Sequence, residues 1–159
     1  MIILGIDPGF ERLGIAVVQK EKSVKEVLLF SECFKTSKVL EFPERLKLLG
    51  EELEKIISEY KPTHLGIETL YFETNKTTAM RVAEVRGTIL YLAGKSGMKI
   101  CEYTPLQIKS AVTGFGKADK KAVMTMVPKL IKIEGDKKMI DDELDAIAVA
   151  LTTAACERF

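Results

Sequence analysis

The sequence of 159 residues is poor in several things on which whole classes of function depend. It has one histidine, His64, and no Ser-His-Asp or Cys-His arrangement can be assembled around it, which removes the common nucleophilic triads. His64 stands just before an apolar run and reads as structural. The three cysteines, Cys33, Cys101 and Cys156, are far apart and odd in number. They supply neither a pair at metal-ligand spacing nor a disulfide framework, and read as reduced, buried thiols of a cytoplasmic protein. No apolar run approaches the ~20 residues of a membrane span. No basic stretch leads into a long apolar segment at the start, so no secretory signal is expected. Repeats, low-complexity tracts and Ser/Gly linkers are absent. So is any excess of charge: 24 Lys and Arg against 23 Asp and Glu leave +1. That balance neither announces a nucleic-acid partner nor excludes one, because local charge decides. What is there, 47% hydrophobic and 30% charged residues, fits one globular domain over residues 1–159 with a substantial core.

Strong β-formers broken by short polar turns predict three opening strands, Ile2 to Asp7, Gly14 to Gln19 and Val27 to Phe34. Pro43 suits a first helical residue, and Leu46, Leu49, Leu53, Ile56 and Ile57 recur at helical spacing up to Tyr60. His64 to Glu68 predicts a fourth strand. Asn75 is placed to cap a helix running to Gly94 or Gly97, whose broad apolar coverage suits a core or a dimer contact. Met98 to Tyr103 predicts a fifth strand, and Thr104-Pro105 opens the next helix. Asp119 would cap a further helix reaching Ile133, kinked or split at Pro128. Asp141 would cap a last helix from Asp142 to Cys156. A meander followed by alternating helices and strands predicts an α/β fold, a mixed five-stranded sheet with helices on both faces.

Four acids stand out by position. Asp7 ends the first strand in Gly5-Ile6-Asp7-Pro8-Gly9, where a turn can either hold a metal ion or cradle a phosphate. Glu68 ends the fourth strand in the same way. Asp142 and Asp145 lie three apart and share one helix face, where the helix dipole and a divalent cation would ease their repulsion. Together they resemble an oxygen-ligand site for Mg²⁺ or Mn²⁺. Two such ions, ~3.5–4 Å apart, suit phosphodiester hydrolysis. Taken singly, each has a plainer reading: Asp7 as a turn residue, Glu68 as a strand-end charge, Asp141-Asp142-Glu143 as a solvated helix start. Asp145 is harder to dismiss, because it lies where the helix turns to the core and has no Arg or His nearby in sequence.

Lys117, Lys120 and Lys121 follow the flexible Gly114-Phe115-Gly116, with Lys109 one helix earlier. Lysines beside a helix start make a fair phosphate contact, or else a solvated loop. Tyr71 and Phe72, just past Glu68, would stack on bases if exposed or pack as core if not.

In order and spacing these pieces resemble the bacterial RuvC family of Holliday junction resolvases. The resemblance runs through Gly5-Ile6-Asp7-Pro8-Gly9, Ile67-Glu68 with the aromatic pair and Asn75, and Arg86-Gly87. It continues through Glu102-Tyr103-Thr104-Pro105 with Gln107-Ile108-Lys109, then Val112-Thr113-Gly114-Phe115-Gly116 with Lys120, and ends in Asp142-Glu143-Leu144-Asp145-Ala146. It implies a ribonuclease-H-like fold, a homodimer, and a Mg²⁺-dependent endonuclease that resolves four-way DNA junctions in recombination and repair. Paired symmetric nicks would leave 5′-phosphate and 3′-hydroxyl ends. The implied catalytic acids and ligands of two Mg²⁺ ions, with Mn²⁺ as an alternative, are Asp7, Glu68, Asp142 and Asp145. The implied phosphate lysines are Lys109 and Lys120, with Lys120 catalytic. Tyr71 takes the place of the stacking aromatic, where Phe is more usual, and Phe72, Asn75 and Lys117 are expected beside it on DNA. The resemblance also implies a bacterial cytoplasmic protein and a branch-migration motor complex of the RuvA and RuvB type as partner. Departures from the family pattern are Glu143-Leu144 between the two aspartates, the extra Asp141, and Glu73 in a loop expected to meet DNA. Two other readings stand beside it. A one-lobed relative of the actin and sugar-kinase ATPases lacks the second lobe and adenosine site. A non-catalytic junction-binding module would lean on a larger basic surface.

Overall fold

Side chains along a strand alternate between its two faces, so each apolar run decides which helices it can take as partners. The computed structural model describes residues 1–70, 76–135 and 138–157. Strands β1 (Ile2–Asp7), β2 (Arg12–Gln19) and β3 (Val27–Lys35) form an antiparallel meander. Helix α1 (Phe42–Tyr60) leads to β4 (His64–Glu68), and α2 (Lys76–Lys95) leads to β5 (Lys99–Tyr103). Helices α3 (Pro105–Thr113), α4 (Lys120–Leu130) and α5 (Asp141–Cys156) complete the chain. β4 and β5 run parallel to β1, giving one mixed sheet in the order β3-β2-β1-β4-β5.

On β1, Leu4 and Ile6 join Ile15, Val17, Leu65 and Ile67 in a core beneath Leu49, Leu53 and Ile56 of α1 and Val85 and Ile89 of α2. Ile3 faces the other way, with Ala16, Val18 and Tyr103, into a second core under α3, α4 and α5. Each fully buried Ile or Leu contributes roughly 2 kcal/mol of hydrophobic stabilisation. The predicted helices on both faces are therefore present.

Helix α5 lies directly against the sheet. A Cβ on Gly5 would collide with the Ala146 carbonyl and lie 2.7 Å from the Ala150 Cβ. Glycine is required there by closeness. The run Ala146, Ile147, Ala148, Val149 and Ala150 is almost wholly buried, which fixes the helix and with it the carboxylates of its first turns.

The other boundaries differ in instructive ways. β2 begins at Arg12, two residues before the expected Gly14, because Arg12 and Leu13 pair with Lys35 and Phe34. α1 begins at Phe42, one residue before Pro43, with Glu41 as its cap and the Glu41 amide donating to Oε2 of Glu44 at 3.3 Å. Thr104 and Asp119 cap α3 and α4 as expected, accepting from the amides of Gln107 and Ala122. α4 passes through Pro128 and stops at Leu130, short of Ile133. Lys132 instead exchanges backbone hydrogen bonds with Glu26 and Leu28, extending the β3 edge. Asp141 is not the cap of α5. The cap is Ile140, whose amide donates to Oε2 of Glu143 at 3.1 Å, leaving Asp141 in the first turn. No helix among the described residues is long and apolar enough to cross a membrane.

Candidate active site

The register of the sheet brings the two strand-end acids together. Ile6 of β1 pairs with Ile67 of β4 in parallel, so Asp7 and Glu68 end neighbouring strands. Each is one residue beyond an apolar side chain buried under α1 and α2, so both carboxylates face α5. Gly14, opposite Asp7 on β2, lets the first turn of α5 descend onto this corner. A Cβ there would collide with the Asp142 carbonyl and approach the Asp7 Cβ to 3.1 Å.

The result is a cleft of about 270 Å³ lined by Asp7, Glu68, Lys109, Lys120 and Asp145 over a floor that includes Ile108 and Val149. A second hollow of about 220 Å³ shares Asp7 and Glu68 and opens towards Thr69 and Leu70. Burial first, then the charges of Asp145, Glu68 and Asp142, push the Asp7 carboxyl up to about 7, with Lys120 pulling the other way. Burial, then Asp145, also raises Glu68 above the ordinary carboxylate range, while Lys109 lowers it. These shifts are the mark of several carboxylates held close in a poorly solvated corner.

Asp145, which lacked a partner in the sequence, has one here. Nζ of Lys120 lies 3.0 Å from its Oδ2 and 3.7 Å from that of Asp141. The hydrogen bond to Asp145 holds the Lys120 ammonium above its ordinary value. Asp142 is turned the other way, to Nη2 of Arg12 at 2.5 Å. No three Asp, Glu, His or Cys side chains among the described residues converge as a ready-made cage. The donor set itself, carboxylate oxygens with one carboxyl raised to about 7 by burial and by its acidic neighbours, fits a hard divalent cation such as Mg²⁺ or Mn²⁺. Soft or imidazole-preferring metals have no ligand here.

Of the other predicted residues, Lys117 is exposed in the α3–α4 turn and does not line the cleft. Tyr71, Phe72, Glu73 and Asn75 lie outside the described residues. His64 is the first residue of β4 and sits beside the Thr63 hydroxyl at 2.9 Å, far along the strand from Glu68.

Four residues with no such role legible in the sequence make contacts around the site. Arg45 is buried in α1. Its Nε donates to Oγ1 of Thr36 at 2.8 Å and its Nη2 to the Phe10 carbonyl at 2.9 Å, clamping the turn between Asp7 and Arg12. Arg86 of α2 pairs with Glu102 and donates from Nε to the Glu68 carbonyl at 3.3 Å. Glu143 is buried with Oε1 accepting from Ser31 Oγ at 2.9 Å, so it points to β3 and away from the other acids. Arg12 is the fourth. Neither Arg45 nor Glu143 carries a local signal in the sequence, because their partners, Phe10 and Ser31, lie far away along the chain.

Comparison with known proteins bears on the whole chain. The family model described as "Crossover junction endodeoxyribonuclease RuvC" matches residues 3–153. The chain is 44% identical to the RuvC crossover junction endodeoxyribonuclease of Alkaliphilus metalliredigens over 159 residues, all of this chain and 96% of that one. It is 42% identical to that of Petrotoga mobilis over 150 residues, 94% of this chain and 91% of the relative. Among solved structures, Thermus thermophilus RuvC in complex with a Holliday junction substrate superposes with a TM-score of 0.89 at 30% identity, over 97% of this chain and 93% of that one. The yeast mitochondrial Holliday junction resolvase, at 13% identity and a TM-score of 0.70, shares the fold.

Proposed function

The chain belongs to the RuvC family of crossover junction endodeoxyribonucleases, and from that membership we propose that it resolves four-way DNA junctions by metal-dependent hydrolysis of one phosphodiester in each of two symmetric strands. The observation that carries this reading is the corner where Asp7 and Glu68, on adjacent parallel strands, meet Asp145 and Lys120 from two helices. A phosphate cradle is the poorer reading of the Asp7 turn. Three carboxylates whose charges raise Asp7 would repel a nucleotide phosphate unless cations stood between them.

Asp7, Glu68, Asp142 and Asp145 would hold Mg²⁺, two ions per site, with Asp7 central because the charges of all three others act on it. When bound, the ions supply a Lewis acid at the phosphate and lower the pKa of the attacking water. The chain's own residues do the rest. Lys109 and Lys120 both line the cleft and offer ammonium groups to non-bridging phosphate oxygens. Lys120, kept protonated by Asp145, offsets the charge that builds on phosphorus in the transition state. Arg86 holds the backbone of Glu68, and Arg45 holds the turn behind Asp7. Two protomers related by a two-fold axis would set two clefts on symmetric strands. Met80 and Tyr91 on the open side of α2 are exposed apolar surface suited to that contact. Products with 5′-phosphate and 3′-hydroxyl ends, a branch-migration motor as partner, and base contacts from Tyr71, Phe72 and Asn75 belong to the same proposal.

The test is a synthetic four-way junction and a linear duplex of the same sequence, each incubated with the protein in Mg²⁺ or in EDTA. Paired nicks in the junction only, in Mg²⁺ only, are expected. Tight junction binding with no cleavage in Mg²⁺ or Mn²⁺ would favour a non-catalytic junction-binding module and overturn the proposal.

A further inference from the structure

Two cations, entering from opposite sides, part the carboxylates of α5. Lys120 draws Asp145 to the cleft side. Arg12, at the start of β2, draws Asp142 to the other side with an Nη2–Oδ2 distance of 2.5 Å. The backbone does not separate Asp142 from Asp7, since both crowd Gly14: a Cβ there would lie 2.2 Å from the Asp142 carbonyl oxygen and 3.1 Å from the Asp7 Cβ. Only the side chain of Asp142 is turned away, and its partner turns it. The two cations also differ in place. Lys120 lines the cleft and Arg12 does not. The Arg12 side chain is about half exposed, at 49%, on the rim formed by the β1–β2 turn.

An ion pair exposed to this degree is worth little, so a stronger ligand can displace it. A divalent cation between Asp7 and Asp142 is such a ligand for the carboxylate. A DNA phosphate is such a ligand for the guanidinium, whose planar fork matches phosphate oxygens in pairs. Resting on the metal-site reading given above, we infer that Arg12 is a displaceable counter-ion of Asp142, which divalent metal releases to bind a DNA phosphate at the rim of the cleft. Metal and junction would then bind cooperatively through one side chain, each removing a competitor of the other, and the coupling is reciprocal.

The inference is tested on the full chain with Arg12→Gln, which keeps hydrogen-bonding capacity without charge, and Arg12→Lys, which keeps charge without the fork. In calorimetric titration with Mn²⁺ alone, Arg12→Gln should bind roughly two- to fivefold more tightly than wild type, the loss of one weak ion-pair competitor, with Arg12→Lys between them. Unchanged or weaker Mn²⁺ affinity in Arg12→Gln would overturn the inference. Mn²⁺ uptake that Asp7→Asn leaves intact would overturn the metal-site reading itself, and so separates the two failures. The second arm is fluorescence anisotropy of a labelled four-way junction in EDTA and in Ca²⁺, a divalent probe of looser coordination. Arg12→Gln should weaken junction binding severalfold in Ca²⁺ and by clearly less in EDTA, where Asp142 competes for the guanidinium. Equal losses in both would make Arg12 an ordinary phosphate contact and contradict the coupling.

Discussion

Replacing Asp7 with Asn keeps the shape of the side chain and removes its charge, which separates what the carboxylate costs the fold from what it gives the reaction. Its pKa rises from an ordinary 3.8 to about 7 in the folded protein. Each unit is worth about 1.4 kcal/mol, so an ionised Asp7 costs the metal-free protein roughly 4 kcal/mol. The sign follows from proton counting. Between pH 4 and 7 the folded state keeps a proton that the unfolded state has lost, so stability falls as pH rises through this window and the cost is complete above pH 7. Asp7→Asn should therefore be more stable than wild type by about 2–4 kcal/mol at pH 8 in EDTA, and by less than half as much at pH 5. Urea unfolding followed by far-ultraviolet circular dichroism measures both. Added Mg²⁺ should narrow the gap by stabilising wild type through mass action, while the variant gains little. An Asn variant no more stable than wild type at pH 8, or a difference that ignores pH, would refute the claim that Asp7 sits in a crowded, poorly solvated carboxylate corner. The same variant should bind junctions and fail to cut them.

Gly5→Ala forces a methyl group against the Ala146 carbonyl and Ala150, and should cost about 1–3 kcal/mol in urea unfolding as α5 is pushed from the sheet. Glu143→Ala removes a carboxylate that accepts from the Ser31 hydroxyl and the Ile140 amide and should cost about 1–3 kcal/mol, with cleavage reduced only as far as α5 loosens. Arg86→Gln should lower the cleavage rate about tenfold and raise the Mg²⁺ concentration for half-maximal cleavage, while junction affinity in EDTA stays unchanged, because it acts through Glu68.

Much of the sheet was legible because its strands end where the chemistry changes. Ile2-Ile3-Leu4 and Leu65-Gly66-Ile67 are short apolar runs closed by an acid, and the structure ends both strands at that acid. The three-residue spacing of Asp142 and Asp145 likewise placed both on the first turns of one helix. What stayed hidden depends on contacts between distant segments. Asp145 showed no partner because Lys120 reaches it only once α4 packs on α5. Arg12 looked like a polar residue ahead of a strand, and nothing local marks a guanidinium that meets Asp142 across the fold. Glu143 belonged to an acidic run whose default is a solvated face, yet Ser31 on the edge strand draws it inward, and that also moves the helix cap from Asp141 to Ile140. Arg45 fits the polar pattern of an amphipathic helix until the turn at Phe10 folds over it.

The central claim is that Asp7, Glu68 and the α5 aspartates hold divalent metal in this cleft. Anomalous diffraction from crystals grown with Mn²⁺ tests it most directly. The account predicts anomalous peaks between Asp7, Glu68, Asp142 and Asp145, with Asp142 swung off Arg12, and their loss in Asp7→Asn. Crystals of a junction-cleaving preparation that show Mn²⁺ bound elsewhere, with Asp142 still paired to Arg12, would contradict it.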